Sequence, residues 1–215
     1  MFGEHRLKTQ FIKIADQKIH LVEDRKGLVR YRRGNIERLI KGDGEVLKLL
    51  PAPAVGYGVS LLMVKLRERI VVPPKGSFQG FLDVPVEIDV EIGNLSIDHF
   101  IVGREKYALY GTIENGKIAR YHVGPFYVDE PEAMGIAKVI LSNPTKEWKG
   151  LDRIIFPIRG STMYYKGNRA YYPLILITLK DHFPEVNNTG KAPVEGAVRV
   201  GSGEPLPNFR MRWEG

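Results

Sequence analysis

Three groups of side chains in this sequence are of types that do chemistry. The first is a row of carboxylates, Glu87, Asp89 and Glu91, alternating with Val86, Ile88, Val90 and Ile92. Successive strand side chains point to opposite faces, so the three acids stand side by side, roughly 6–7 Å apart. Paired carboxylates at that spacing suit acid–base hydrolysis, and clustered oxygen ligands suit a hard cation. The plainer alternative is a solvated face, paired with Lys65, Arg67 and Arg69, which also alternate.

The second group lies around Asn115-Gly116, a dipeptide that favours a two-residue hairpin because both positions need positive φ. That turn predicts Glu114 opposite Lys117, Ile113 opposite Ile118 and Tyr110 opposite Tyr121. Tyr107, Leu109, Arg120 and His122 then share one face, with Tyr110 and Tyr121 on the other. Arginine and histidine beside aromatics can bind an anionic or planar ligand. Alternatively, Tyr110 and Tyr121 are core aromatics whose hydroxyls reach solvent.

The third group is basic. The net charge is +7, and the first fifty residues hold 12 Lys and Arg against 7 Asp and Glu. The excess centres on Arg25-Lys26 and Arg30-Tyr31-Arg32-Arg33. Here Arg25, Arg30, Arg32 and Arg33 can follow a phosphate backbone while Tyr31 stacks on a base. The alternative is a solvated strand face, since no known nucleic-acid module pattern accompanies the charge.

Much chemistry is excluded. With no cysteine there is no disulfide framework, thiolate metal site or cysteine nucleophile. Gly76-Ser77-Phe78-Gln79-Gly80 has its serine one place early for a nucleophile elbow, and Gly201-Ser202-Gly203 lacks the third glycine of a dinucleotide loop. The five histidines are scattered without metal-ligand spacing. The sequence points to no cofactor and no metal. No apolar run is long enough to cross a bilayer, and the amino terminus lacks a secretory signal, so a soluble cytoplasmic protein is expected. The absence of cysteine and the abundance of Lys, Arg, Glu, Ile and Val suit a thermophile.

The elements that must position these groups are strands. Period-two alternation dominates: from Leu82 to Ile92 the even positions are all apolar, and the odd ones are mostly acidic, with Pro85 marking an edge or bulge. Further strands are expected at 10–14, 19–23, 28–32, 45–49, 59–66, 69–72, 136–141, 153–158, 163–165 and 171–179. A short helix has two candidate places, 36–41 or 130–134. The expected fold is mainly β, as two packed antiparallel sandwich-like units with little helix. A β-rich domain covers 1–130, a smaller subdomain 131–182 and an extended arm 183–215. The arm is too poor in apolar groups to fold alone, so strand addition by 197–200 and anchoring by Leu206, Phe209, Met211 and Trp213 are expected, on its own chain or on a second copy.

The runs Tyr107-Ala108-Leu109-Tyr110-Gly111-Thr112 and Asn115-Gly116-Lys117-Ile118-Ala119-Arg120-Tyr121 carry a resemblance. Together with Met1-Phe2-Gly3, Val84-Pro85-Val86-Glu87-Ile88 and Ile154-Ile155-Phe156, they resemble the archaeal domain-of-unknown-function family 432 over roughly residues 1–180. The resemblance implies an archaeal origin and brings no assigned activity or catalytic residue.

The leading functional reading is a non-catalytic binding or assembly module, which sets the balance against an enzyme. Its partner would be another protein or, through the arm, a second copy. The rivals are a nucleic-acid binder using the basic strands and a hydrolase using Glu87, Asp89 or Glu91.

Overall fold

The computed structural model describes residues 1–24, 27–41, 44–201 and 204–213, and contains no helix among them. The fold is mainly β, built from four packed sheets. The first is an antiparallel meander of Gln10–Ile14, Gln17–Glu23, Leu28–Arg33 and Ile36–Lys41. The last of these was a candidate helix, but its ladder with Leu28–Arg33 runs unbroken from Arg33↔Ile36 to Leu28↔Lys41. Isoleucines at 36 and 40 serve a strand better than a helix, and the short Gly34-Asn35 link leaves little choice but a hairpin. Residues 130–134, the other candidate helix, contain no helix either.

The second sheet orders Gly3–Arg6, Val46–Pro53, Val86–Ile92 and Leu95–Ile101. The third orders Tyr107–Tyr110, Lys117–Gly124, Leu61–Val72 and Lys149–Pro157, with a parallel ladder between Lys117–Gly124 and Leu61–Val72. The fourth and largest centres on Gly135–Ser142, which pairs with Ser77–Asp83 on one side and with Arg169–Tyr171 and Ile175–Leu179 on the other. Strands from both sides of Pro131 therefore share the third and fourth sheets.

The alternation from Leu82 to Ile92 keeps its inward face, with Leu82, Val84, Val86, Ile88 and Val90 all buried. It is nevertheless two strands in two sheets, Ser77–Asp83 and Val86–Ile92, divided at Val84-Pro85. Pro85 has no N–H for a ladder, and the Val84 N–H is taken by the Gly135 carbonyl at 2.9 Å. That approach needs glycine, because a Cβ at 135 would lie 2.2 Å from the Val84 carbonyl oxygen.

The Asn115-Gly116 hairpin is a correction. Tyr110 faces Lys117 instead of Tyr121, a slip of four residues that leaves 111–116 as a six-residue loop. Gly111 turns the chain early at φ +108, and Ile113, 89% exposed, has no core to face. Local turn preference thus yields to tertiary packing. A slip by an even number preserves side-chain parity, so the predicted faces survive.

The arm docks on its own chain. Val198–Val200 adds to Met163–Lys166, and Phe209–Arg210 adds to Pro184–Asn188. Met211 is buried, while Phe209 and Trp213 pack partly buried against the same core.

Candidate functional site

Each strand of the N-terminal meander alternates, and the inward set is apolar: Ile12, Ile14, Ile19, Leu21, Val29, Tyr31 and Ile40. The outward set must therefore be Phe11, Lys13, Lys18, His20, Val22, Arg30, Arg32, Glu37, Leu39 and Lys41. The ladders align Phe11, His20, Arg32 and Glu37 in one row across the sheet, with Val22, Arg30 and Leu39 in the next. Rows of this kind are roughly 7 Å apart along the strands. The Phe11 and His20 rings meet edge to face at 5.0 Å. Over this face lies a groove of about 710 Å³, lined by Lys18, His20, Val22, Glu23, Asp24, Arg30, Arg32, Gly34 and Glu37.

The outward face combines exposed apolar surface with positive charge. Phe11, Val22 and Leu39 are each at least half exposed. Arg30 reaches Glu37 at 3.5 Å in an exposed pair, which holds it only weakly. Among the described residues Lys13, Lys18 and Arg32 have no carboxylate partner.

Of the basic residues singled out in the sequence, Arg30 and Arg32 stand on this face. Tyr31 and Arg33 do not. Tyr31 is fully buried and donates to Asp98 at 2.6 Å, so no base can stack on it. Arg33 forms a two-pronged pair with Asp98, at 2.7 and 3.0 Å, and its guanidinium lies 4.3 Å from the Phe100 ring centre. Arg25 lies outside the described residues. The exposed aromatic of this face is Phe11, which sequence reading passed over although the alternation of 10–14 placed it beside Lys13.

The hairpin candidates separate into three places. Arg120, only 1% exposed, donates to Glu105 at 2.7 Å and to the Tyr107 hydroxyl at 3.3 Å. Its second terminal nitrogen is buried without a partner among the described residues. The 54–58 loop closes over this group, and Gly56 is required there, since a Cβ would sit 1.9 Å from the Tyr107 oxygen. His122 and Tyr121 instead line a separate cleft with Asp83. Tyr110 packs against Phe209 and accepts the Arg212 N–H at 2.7 Å, which makes it an anchor for the arm.

The acidic row is not paired with Lys65, Arg67 and Arg69, because its strand lies between Val46–Pro53 and Leu95–Ile101, in another sheet. Glu87 is buried with both oxygens engaged: one accepts the Gly56 N–H at 2.8 Å and the other meets His99 Nε2 at 2.9 Å. Asp89 accepts from Ser96, and Glu91 lies opposite Lys48. Partial burial, then the neighbouring Asp89, raise the Glu91 pKa.

His99 yields a pH prediction. Its hydrogen bond to Glu87 outweighs partial burial and raises its pKa above the ordinary value. The stabilisation is therefore complete below about pH 6.5 and fades as pH rises through the folded value. Because His99 is half exposed, the effect is no more than about 1 kcal/mol. Melting curves from pH 5.5 to 8.5 should show wild type losing more stability than His99→Gln, and superimposable profiles would refute the assignment.

A family model described as "Protein of unknown function (DUF432)" matches residues 1–212. No curated protein and no solved structure matches the chain.

Proposed function

We propose, for a chain that belongs to the DUF432 family, the role of a non-catalytic binding module that holds single-stranded nucleic acid on the outward face of its N-terminal sheet. The observation that carries this reading is the outward face under the groove, where the Phe11–His20 ring pair shares a row with Arg32 and adjoins the row of Lys13 and Lys18. Every base has a face that stacks on an aromatic ring, and alternating cations follow the phosphates without reading sequence. Val22 and Leu39 extend the apolar floor beneath further bases. Duplex nucleic acid hides its base faces and offers this surface less. Among the described residues no helix is long and apolar enough to cross a membrane. A cytoplasmic location and a heat-adapted archaeal source accord with the cysteine-free, charge-rich composition and form part of the same proposal.

Fluorescence titration with labelled single-stranded and duplex oligonucleotides at two salt concentrations tests it. Each phosphate contact on a single strand contributes roughly −0.7 to the slope of log affinity against log salt. The Arg30→Ala/Arg32→Ala variant should flatten that slope by about 1.4. Phe11→Ala should weaken binding by about 1–3 kcal/mol with the slope unchanged. Absence of binding at low salt, or unaltered affinity in both variants, would overturn the proposal.

A further inference from the structure

A second concave site lies away from the N-terminal sheet and owes nothing to it. It is a cleft of about 380 Å³ between the end of strand Ser77–Asp83, the loop 102–106 and residues 121–123. That volume is within the range of small-ligand sites. Its position follows from the ladders. Lys117–Gly124 pairs with Tyr107–Tyr110 only as far as Arg120, and one more bond follows, from the Tyr121 N–H to the Lys106 carbonyl at 2.8 Å. Beyond that point this edge of the strand opens into the cleft.

The wall carries a histidine–carboxylate pair, His122 Nε2 with Asp83 Oδ1, each side chain about one-third exposed. Gly124 makes room for it, since a Cβ there would meet Asp83 Oδ1 at 3.1 Å and His122 Nε2 at 3.4 Å. On the rim Arg104 and Lys106 are exposed, with no carboxylate partner among the described residues. Pro85, Val102 and Met134 give the lining apolar surface. The cleft thus offers two exposed cations and an imidazole that Asp83 orients, beside a surface that accepts an apolar or planar body.

We propose that this cleft binds a small organic phosphate, with Arg104 and Lys106 on the phosphate, the His122 ring beside it and the organic body on the apolar lining. Arginine and lysine donors suit a tetrahedral polyanion, and the single carboxylate of the lining already has His122 as its partner.

The probes are adenosine monophosphate, adenosine and inorganic phosphate, titrated into the full chain while the histidine ring resonances are followed by NMR. The monophosphate should shift the His122 resonances at lower concentration than inorganic phosphate, and adenosine should leave them unmoved. Arg104→Ala/Lys106→Ala should weaken monophosphate binding by about tenfold or more, with the melting temperature kept. Arg30→Ala/Arg32→Ala should leave it intact, which separates this cleft from the N-terminal groove. Equal responses to adenosine and its monophosphate, full binding by the rim variant, or loss of binding in the Arg30/Arg32 variant would each overturn the assignment.

Discussion

Replacing Asp98 with alanine is expected to destabilise the protein by about 3–5 kcal/mol, a large part of a typical folding free energy. Asp98 sits in strand Leu95–Ile101 and accepts from both Tyr31 and Arg33 of the N-terminal sheet, with side-chain exposures of 4% for Asp98 and 16% for Arg33. Removing the carboxylate strands a buried cation and a buried phenol together, which costs more than the loss of either bond. Tyr31→Phe removes one donor to that carboxylate and should cost about 1.5–3 kcal/mol. Burial alone would raise the Asp98 pKa, but hydrogen bonds from Arg33 and Tyr31, with the Arg33 charge, bring it below the ordinary value. The stabilisation is therefore present above about pH 3.9 and lost as pH falls through the lower folded value. Urea unfolding of both variants at pH 7, and of Asp98→Ala down to pH 2.5, measures this. A loss under about 1 kcal/mol, or an acid limb identical to wild type, would show that the pair does not join the two sheets.

The second large effect is expected at the arm. Met211→Ala should cost about 2–5 kcal/mol, the usual range for truncating a fully buried methionine. Met211 is 2% exposed, its sulfur accepts the Ile155 N–H at 3.2 Å, and its own N–H reaches the Pro184 carbonyl at 2.8 Å. Trp213 closes the arm by donating to the Lys180 carbonyl at 3.1 Å, with the Lys149 ammonium 5.9 Å from its ring. A chain ending at Asn208 should lose at least as much as the alanine variant. Sizing alongside the melts is informative, because an arm docked on its own chain can be removed without changing the number of chains per particle. A melting temperature unchanged in both variants would mean that the arm does not contribute to the fold.

Much of the framework was legible in local pattern. The alternation of 10–14 and 28–32 marked strands, and the five apolar residues from Leu82 to Val90 were correctly placed in the core. Val198–Val200 and Met211 were recognisable in the arm because they are apolar residues in an otherwise polar segment. The errors arose where a local preference met a distant constraint. At 36–41 a short apolar run admitted either period, and the Leu28–Arg33 ladder selected the strand. At Asn115-Gly116 the favoured turn lost to an early bend at Gly111, with Arg120 buried beneath Tyr107.

The candidate site shows the same division within one strand. Alternation alone separates Arg30 and Arg32 from Tyr31 and Arg33, because side-chain direction in a strand repeats every two residues. It does not say which set faces water. That depended on Asp98, 67 residues from Tyr31, whose buried carboxylate draws both Tyr31 and Arg33 inward and leaves Arg30 and Arg32 outside. Asp83 and His122 are 39 residues apart, and Glu87 and His99 are 12 apart on adjacent strands. The sequence alone determined strands, parity and an apolar core, because these follow from local spacing. Which charges are paired and which are offered to a ligand was decided by tertiary structure, because a charge finds its partner by distance in space.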